Sequence, residues 1–137
     1  MMMQQQNLQR LLDDFGRRQG ISLTIDNGVC AMQDEQGQEA VILELPAGSD
    51  TLLLHCQLFA SALLTDQLTT WRLLMKLNFE MQAMRGCWLA LDEEEQMRIC
   101  YQQPLAGLTP ATFSALMLAF IQQAREMRLL LPEIVAA

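Results

Sequence analysis

The sequence predicts an α+β protein: an antiparallel sheet with three segregated helices, in the order α-β-β-β-β-α-β-β-α, assembled as a homodimer. Three observations predict it. Apolar residues recur at helical spacing in three separated segments, around residues 8–15, 65–84 and 109–131. Between them the period falls to two, in short runs joined by Gly-containing and acidic turns. The middle helical segment also has too thin a polar stripe for the surface of a lone subunit. With 137 residues, 51% of them hydrophobic, the chain fits one domain, residues 1–137, with one core.

The opening "MMMQQQ", residues 1–6, is expected to be frayed. Leu8, Leu11, Leu12 and Phe15 then trace the stripe of a one-sided amphipathic helix. Gly20 stops it after Arg17 and Arg18, whose charges suit the negative end of the helix dipole. "ISLTI" alternates Ile21, Leu23 and Ile25 against Ser22 and Thr24, a strand with one buried face. Asn27-Gly28 supplies the positive φ angles of a tight hairpin, so Val29 to Met32 returns antiparallel. A turn at "DEQGQE" leads to "AVILEL", and "PAGSD" leads to "TLLLHCQLF".

That last strand holds His55, the chain's one histidine, beside Cys56. Neighbours on a strand point to opposite faces, so a regular strand keeps imidazole and thiol apart and the pair is not catalytic. Cys56 goes with Leu52, Leu54 and Leu58 on the core face. His55 goes with Leu53, Gln57 and Phe59 on the other. With Ile42 beside Glu44 on the preceding strand, that second face is half-wet, a surface for something to cover.

The second helix starts at Thr65 as N-cap and runs to Met84. Thr69, Arg72, Lys76 and Glu80 are its whole polar stripe; Leu68, Trp71, Leu73, Leu74, Met75, Leu77, Phe79 and Met81 fill the rest. Such a helix is buried on two sides, by its own sheet and by a second subunit. Asn78 lies on the apolar side and, once buried, needs hydrogen-bond partners. "RG" breaks the helix, and "CWLALD" and "MRICYQ" form a further hairpin around "EEEQ". Glu93, Glu94 and Glu95 read as a solvated tip. Trp71, Leu74 and Met75, with Trp88 and Ala90, are the candidate dimer interface. In the third helix Thr109 caps, Pro110 takes the first helical position, and Leu108 and Phe113 form a hydrophobic staple. Pro132 is expected to end it.

A formal net charge of −7 argues against nucleic acid as a partner, and no run approaches the ~20 apolar residues of a membrane span. The N-terminus has no basic head or apolar run of a secretory signal. Four scattered cysteines, Cys30, Cys56, Cys87 and Cys100, fit reduced, buried thiols of a cytosolic protein. The sequence shows no phosphate loop, metal-ligand spacing, nucleophile elbow or paired carboxylates, so neither a cofactor nor an enzymatic activity is expected.

The run "LLMKLNFEMQAMRGCWLALDEEEQMRICYQQPL" resembles the class I type III secretion chaperones of Gram-negative bacteria. The resemblance rests on Leu77-Asn78 in a Leu-rich helix and a Gly-led strand ending in Leu91-Asp92. An acidic turn and a strand with Cys100 near its end complete that part of the pattern. "LQRLLDDFGRRQGISLTIDNGVCAM", with Gly20 and Cys30, is similar to that family's first helix and hairpin. "VILELPAGSDTLLLHC" and "NFEMQAMRGCWLALDE" most resemble the chaperones of AvrE-type effectors. The resemblance spans Leu8 to about Leu130. It implies a cytoplasmic homodimer that binds the N-terminal segment of one secreted virulence effector and keeps it secretion-competent. Such a chaperone delivers its client to the secretion apparatus, with the secretion ATPase as a further partner. It also implies apolar client patches on the first helix and adjoining sheet: Leu12, Phe15, Ile25, Val29, Ile42 and Leu53. Two other classes compete: a carrier or sensor of an apolar small molecule, and a thiol redox enzyme.

Overall fold

The computed structural model describes residues 2–60 and 68–136. The helices are α1 (Met2–Gln19), α2 (Leu68–Asn78), α3 (Met81–Met84) and α4 (Pro110–Ala136). The strands are β1 (Val29–Gln33), β2 (Glu39–Glu44), β3 (Thr51–Ala60), β4 (Trp88–Leu91) and β5 (Gln96–Pro104). The strands make one antiparallel sheet in the order β1-β2-β3-β5-β4, so the expected α+β class is the one observed. One face of the sheet carries the core. Leu8, Leu12 and Phe15 of α1 meet Phe113, Met117 and Leu131 of α4 over Leu43, Leu54, Cys56 and Ile99. Phe15 and Phe113 join the two helices edge to face at 6.2 Å.

Several expected signals are realised in atoms. Gly20, at φ 75°, closes α1: Ile21 N–H donates to the Gly16 carbonyl at 2.9 Å and Gly20 N–H to that of Arg17 at 3.4 Å. Asn27 and Gly28 both have positive φ, 51° and 75°, and Asp26 and Val29 exchange both backbone bonds at 2.9 Å. At the start of α4, Thr109 and Thr112 cap each other: Thr112 N–H donates to Thr109 Oγ1 (3.1 Å), and Thr109 N–H to Thr112 Oγ1 (2.8 Å).

Five expectations are corrected. Residues 21–25 are not a strand, so the sheet has five strands rather than six; the segment lies against α1, which bonds Ile21, Leu23 and Ile25, as described below. Residues 2–6 are helical rather than frayed, since α1 begins at Met2. The second helix is not continuous: it stops at Asn78 because that side chain turns to bond β4, and a single turn, α3, follows. The cap expected at Thr65 lies outside the described residues. Phe59 is buried, because a bulge between Gln57 and Phe59 turns it off the open face. α4 runs through Pro132, whose missing N–H costs one helical bond while Leu131 beside it is fully buried.

Gly16 permits the close passage of the chain after α1. A Cβ there would sit 2.5 Å from the Ile21 carbonyl oxygen. Alanine is favoured over glycine in a helix by about 1 kcal/mol, so propensity alone predicts that Gly16→Ala stabilises. The clash predicts the reverse, a net loss of about 1–2 kcal/mol in urea unfolding. A stabilised variant would show that the following segment yields.

Candidate functional site

The two edges of the sheet are finished differently. At β4, Asn78 bonds the outer edge: its Oδ1 accepts from Leu89 N–H at 2.7 Å and its Nδ2 donates to the Leu89 carbonyl at 3.3 Å. One amide side chain thus takes the place of a neighbouring strand at Leu89. At β1 the ladder to β2 uses the inner groups, with Leu45 N–H donating to the Gly28 carbonyl at 2.8 Å. Alternation turns the N–H and C=O groups of Val29, Ala31 and Gln33 outward. Asp26 takes those of Val29. Among the described residues nothing pairs with those of Ala31 and Gln33, and both residues are exposed.

Beside this edge runs a groove of about 800 Å³ between the end of α1, the β1–β2 turn and α4. Phe15, Met32 and Ile121 are among its apolar lining, and Arg125 and Arg128 among its cationic lining.

The sheet face away from the core carries a charged cluster set among apolar residues. Arg98 Nη2 donates to Glu39 at 2.7 Å, Nη1 to Asp92 at 3.2 Å, and Nε to His55 Nδ1 at 2.9 Å. A guanidinium only donates, so His55 Nδ1 accepts and the ring carries its proton on Nε2, which faces Glu44. Burial works against the Arg98 charge, but the bonds to Glu39 and Asp92 outweigh it and hold the guanidinium protonated. The backbone N–H of Gln96 leads the groups that lower the Asp92 carboxyl, followed by Arg98 and the N–H of Glu94. From the core side, Arg128 Nη2 donates to the carbonyls of Glu39 (2.9 Å) and Gln57 (2.6 Å), where the β2–β3 ladder has ended. Cys56 sits there on the core face, opposite His55, as its strand position requires. Burial pushes its thiol, and that of Cys87, up to about 11, so both are protonated at neutral pH and neither offers a thiolate nucleophile.

Cross-strand register brings three candidate client residues together. Val29 pairs with Glu44 and Glu44 with Leu53, while Ile42 pairs with His55, so Val29, Leu53 and Ile42 share the open face around the His55–Glu44 pair. Ile25 is half-buried against the core. Leu12 and Phe15 are 0% exposed, and only Phe15 reaches the groove floor. Of the candidate interface residues, Leu74 faces the subunit's own core and Trp71 packs against it. Met75 is 67% exposed, and Trp88 and Ala90 are half-buried on the open face of β4. The most exposed apolar side chains in this region are Phe79 at 84% and Met81 at 80%, at the break between α2 and α3. In the sequence both belong only to the helix stripe; the break that projects them carries no sequence signal beyond Asn78. Gln9, Ala31 and Gln33 carry no signal in the sequence, because an edge is a property of the assembled sheet.

Residues 10–128 match the Tir chaperone protein (CesT) family. The chain belongs to that family. The family and fold of this CesT-family chain are those of type III secretion chaperones, which are not enzymes. It is similar to a chain of the ExsC–ExsE complex, with 25% identity, coverage of 93% of this chain and 96% of that one, and a TM-score of 0.78. It shares its fold with a chain of the HopA1–SchA chaperone–effector complex (22% identity, 92% and 96% covered, TM-score 0.71). The same holds for the heterodimeric ExoU–SpcU complex of the type III secretion system of Pseudomonas aeruginosa (15% identity, 90% and 97% covered, TM-score 0.66). No curated protein matches the sequence significantly. Among the described residues of the CesT-family chain, no helix is long and apolar enough to cross a membrane.

Proposed function

We propose that this chain is a cytoplasmic, homodimeric chaperone of a type III secreted effector, with an AvrE-type effector as the client, since its sequence most resembles the chaperones of that class. Each subunit captures part of the effector's N-terminal segment in extended form. It keeps that segment secretion-competent and hands it to the secretion apparatus, whose ATPase is the receiving partner. The observation that carries this reading is the asymmetry of the sheet: Asn78 sits on Leu89 in the short β4 edge, whereas Ala31 and Gln33 leave the β1 edge free for an added strand. An added strand gains main-chain bonds there, while Val29, Ile42 and Leu53 on the open face and the groove beside β1 supply side-chain contacts. The α2–α3 break, with Met75, Phe79 and Met81, is the surface for the second subunit.

Ala31→Pro tests the edge. Proline removes an outward N–H that the fold does not use, so the variant is expected to fold and dimerise normally. Capture of the co-expressed effector's N-terminal segment is expected to fall at least about tenfold, from one or two lost strand bonds plus the ring's obstruction. Undiminished capture by the folded variant would move the client elsewhere.

A further inference from the structure

Residues 21–25 have the alternation of a strand and follow none of its pairing. The hairpin turn that should start the pairing is already closed, with both Asp26–Val29 bonds made at 2.9 Å. Continuing that register would set Thr24 opposite Ala31 and Ser22 opposite Gln33, the two positions whose outward groups are open. Leu23 and Ile25 would then fall on the face of Cys30 and Met32, the core face. Instead the chain leaves the sheet. Thr24 and Ala31 make no backbone bond to each other.

Two features of α1 hold the segment in this place. Gln9 acts as a one-residue strand: its Oε1 accepts from Ile25 N–H at 2.9 Å and its Nε2 donates to the Leu23 carbonyl at 2.9 Å. Gly16 receives Ile21 N–H on its carbonyl at 2.9 Å and, having no side chain, lets Ile21 lie against the helix.

We infer that residues 21–25 are a strap that zips onto the β1 edge when α1 releases it, covering the strip a client strand would use. The fold holds the strap off that edge through Gln9 and Gly16, so the position of α1 sets whether the edge is open. That the strap competes with a client rests on the chaperone reading above; the movement itself does not.

Amide hydrogen exchange on the full-length protein, read residue by residue by NMR, tests the movement without any client. In the unaltered chain the Ala31 and Gln33 amides are expected to exchange far faster than those of β2. Gln9→Ala is expected to slow both about tenfold or more, the effect of one strand bond at each. Adding Thr24→Pro to Gln9→Ala removes the strap's central N–H and is expected to restore fast exchange. If Gln9→Ala does not fold, Gly16→Ala releases the other pin and is read in the same way. Protection of Ala31 in the unaltered chain equal to that of β2, or no slowing in the released variants, overturns the strap. Slowing that persists with Thr24→Pro overturns it equally. None of these results bears on whether the effector is captured, which the Ala31→Pro experiment reads separately.

Discussion

Replacing Met75 and Phe79 together by aspartate is expected to leave a folded monomer. Their exposures of 67% and 84% mean that neither supports the subunit's own core, so the isolated fold should lose little. Between subunits the same side chains are anchors of the type whose truncation costs about 2 kcal/mol or more each. Two such losses, with two charges left facing an apolar partner, weaken association about a thousandfold or more. Light scattering at micromolar concentration should show half the original mass, with an unchanged far-ultraviolet circular dichroism spectrum. A dimer of full strength would place the subunit contact elsewhere, with Trp88 and Ala90 on β4 as the next surface to test.

Arg98→Met is expected to be the most destabilising single change on the open face. Arg98 is 12% exposed and holds Glu39 and Asp92, which are 24% and 22% exposed, along with the acceptor nitrogen of His55. Methionine keeps the stem's packing but leaves two carboxylates near each other without a cation. Breaking such a cluster at one member costs about 3 kcal/mol, the residual exposure of the carboxylates placing it at the low end of the buried range. Urea unfolding measures this directly. Arg98→Met with Glu39→Gln should recover part of the loss, since the orphaned charge is then gone. A loss below about 1 kcal/mol in the single variant would show that the cluster is solvated and contributes little.

The helices and most strands were legible because each is a local pattern. Leu8 to Phe15 is a stripe, Thr109-Pro110 is a helix entry, and Asn27-Gly28 is a turn. The segment 21–25 misled for the same reason. Its alternation is that of a strand, but the segment lies against α1 and bonds Gln9, a residue that carries no mark of its role. Phe59 was misplaced because a bulge shifts the alternation by one, and bulges are set by how β3 meets β5. Asn78 was the opposite case, since an amide on an apolar face announces that it has partners, though not that they belong to β4. At the candidate site, Val29, Ile42 and Leu53 were individually legible as apolar residues on a half-wet face. The Glu39–Arg98–Asp92–His55–Glu44 cluster was not, because its members come from strands far apart in sequence and meet only through register.

The amide of Asn78 has one more consequence, for how many chains can be joined. A sheet with two free edges has a valence of two, and copies can be linked edge to edge without limit into a ribbon. Asn78 reduces that valence to one. A single-valence sheet can accept one strand from a client at its β1 edge, and that sheet then grows no further. For a protein with an exposed strand edge, chain termination of this kind keeps a sticky surface from becoming a seed for fibres.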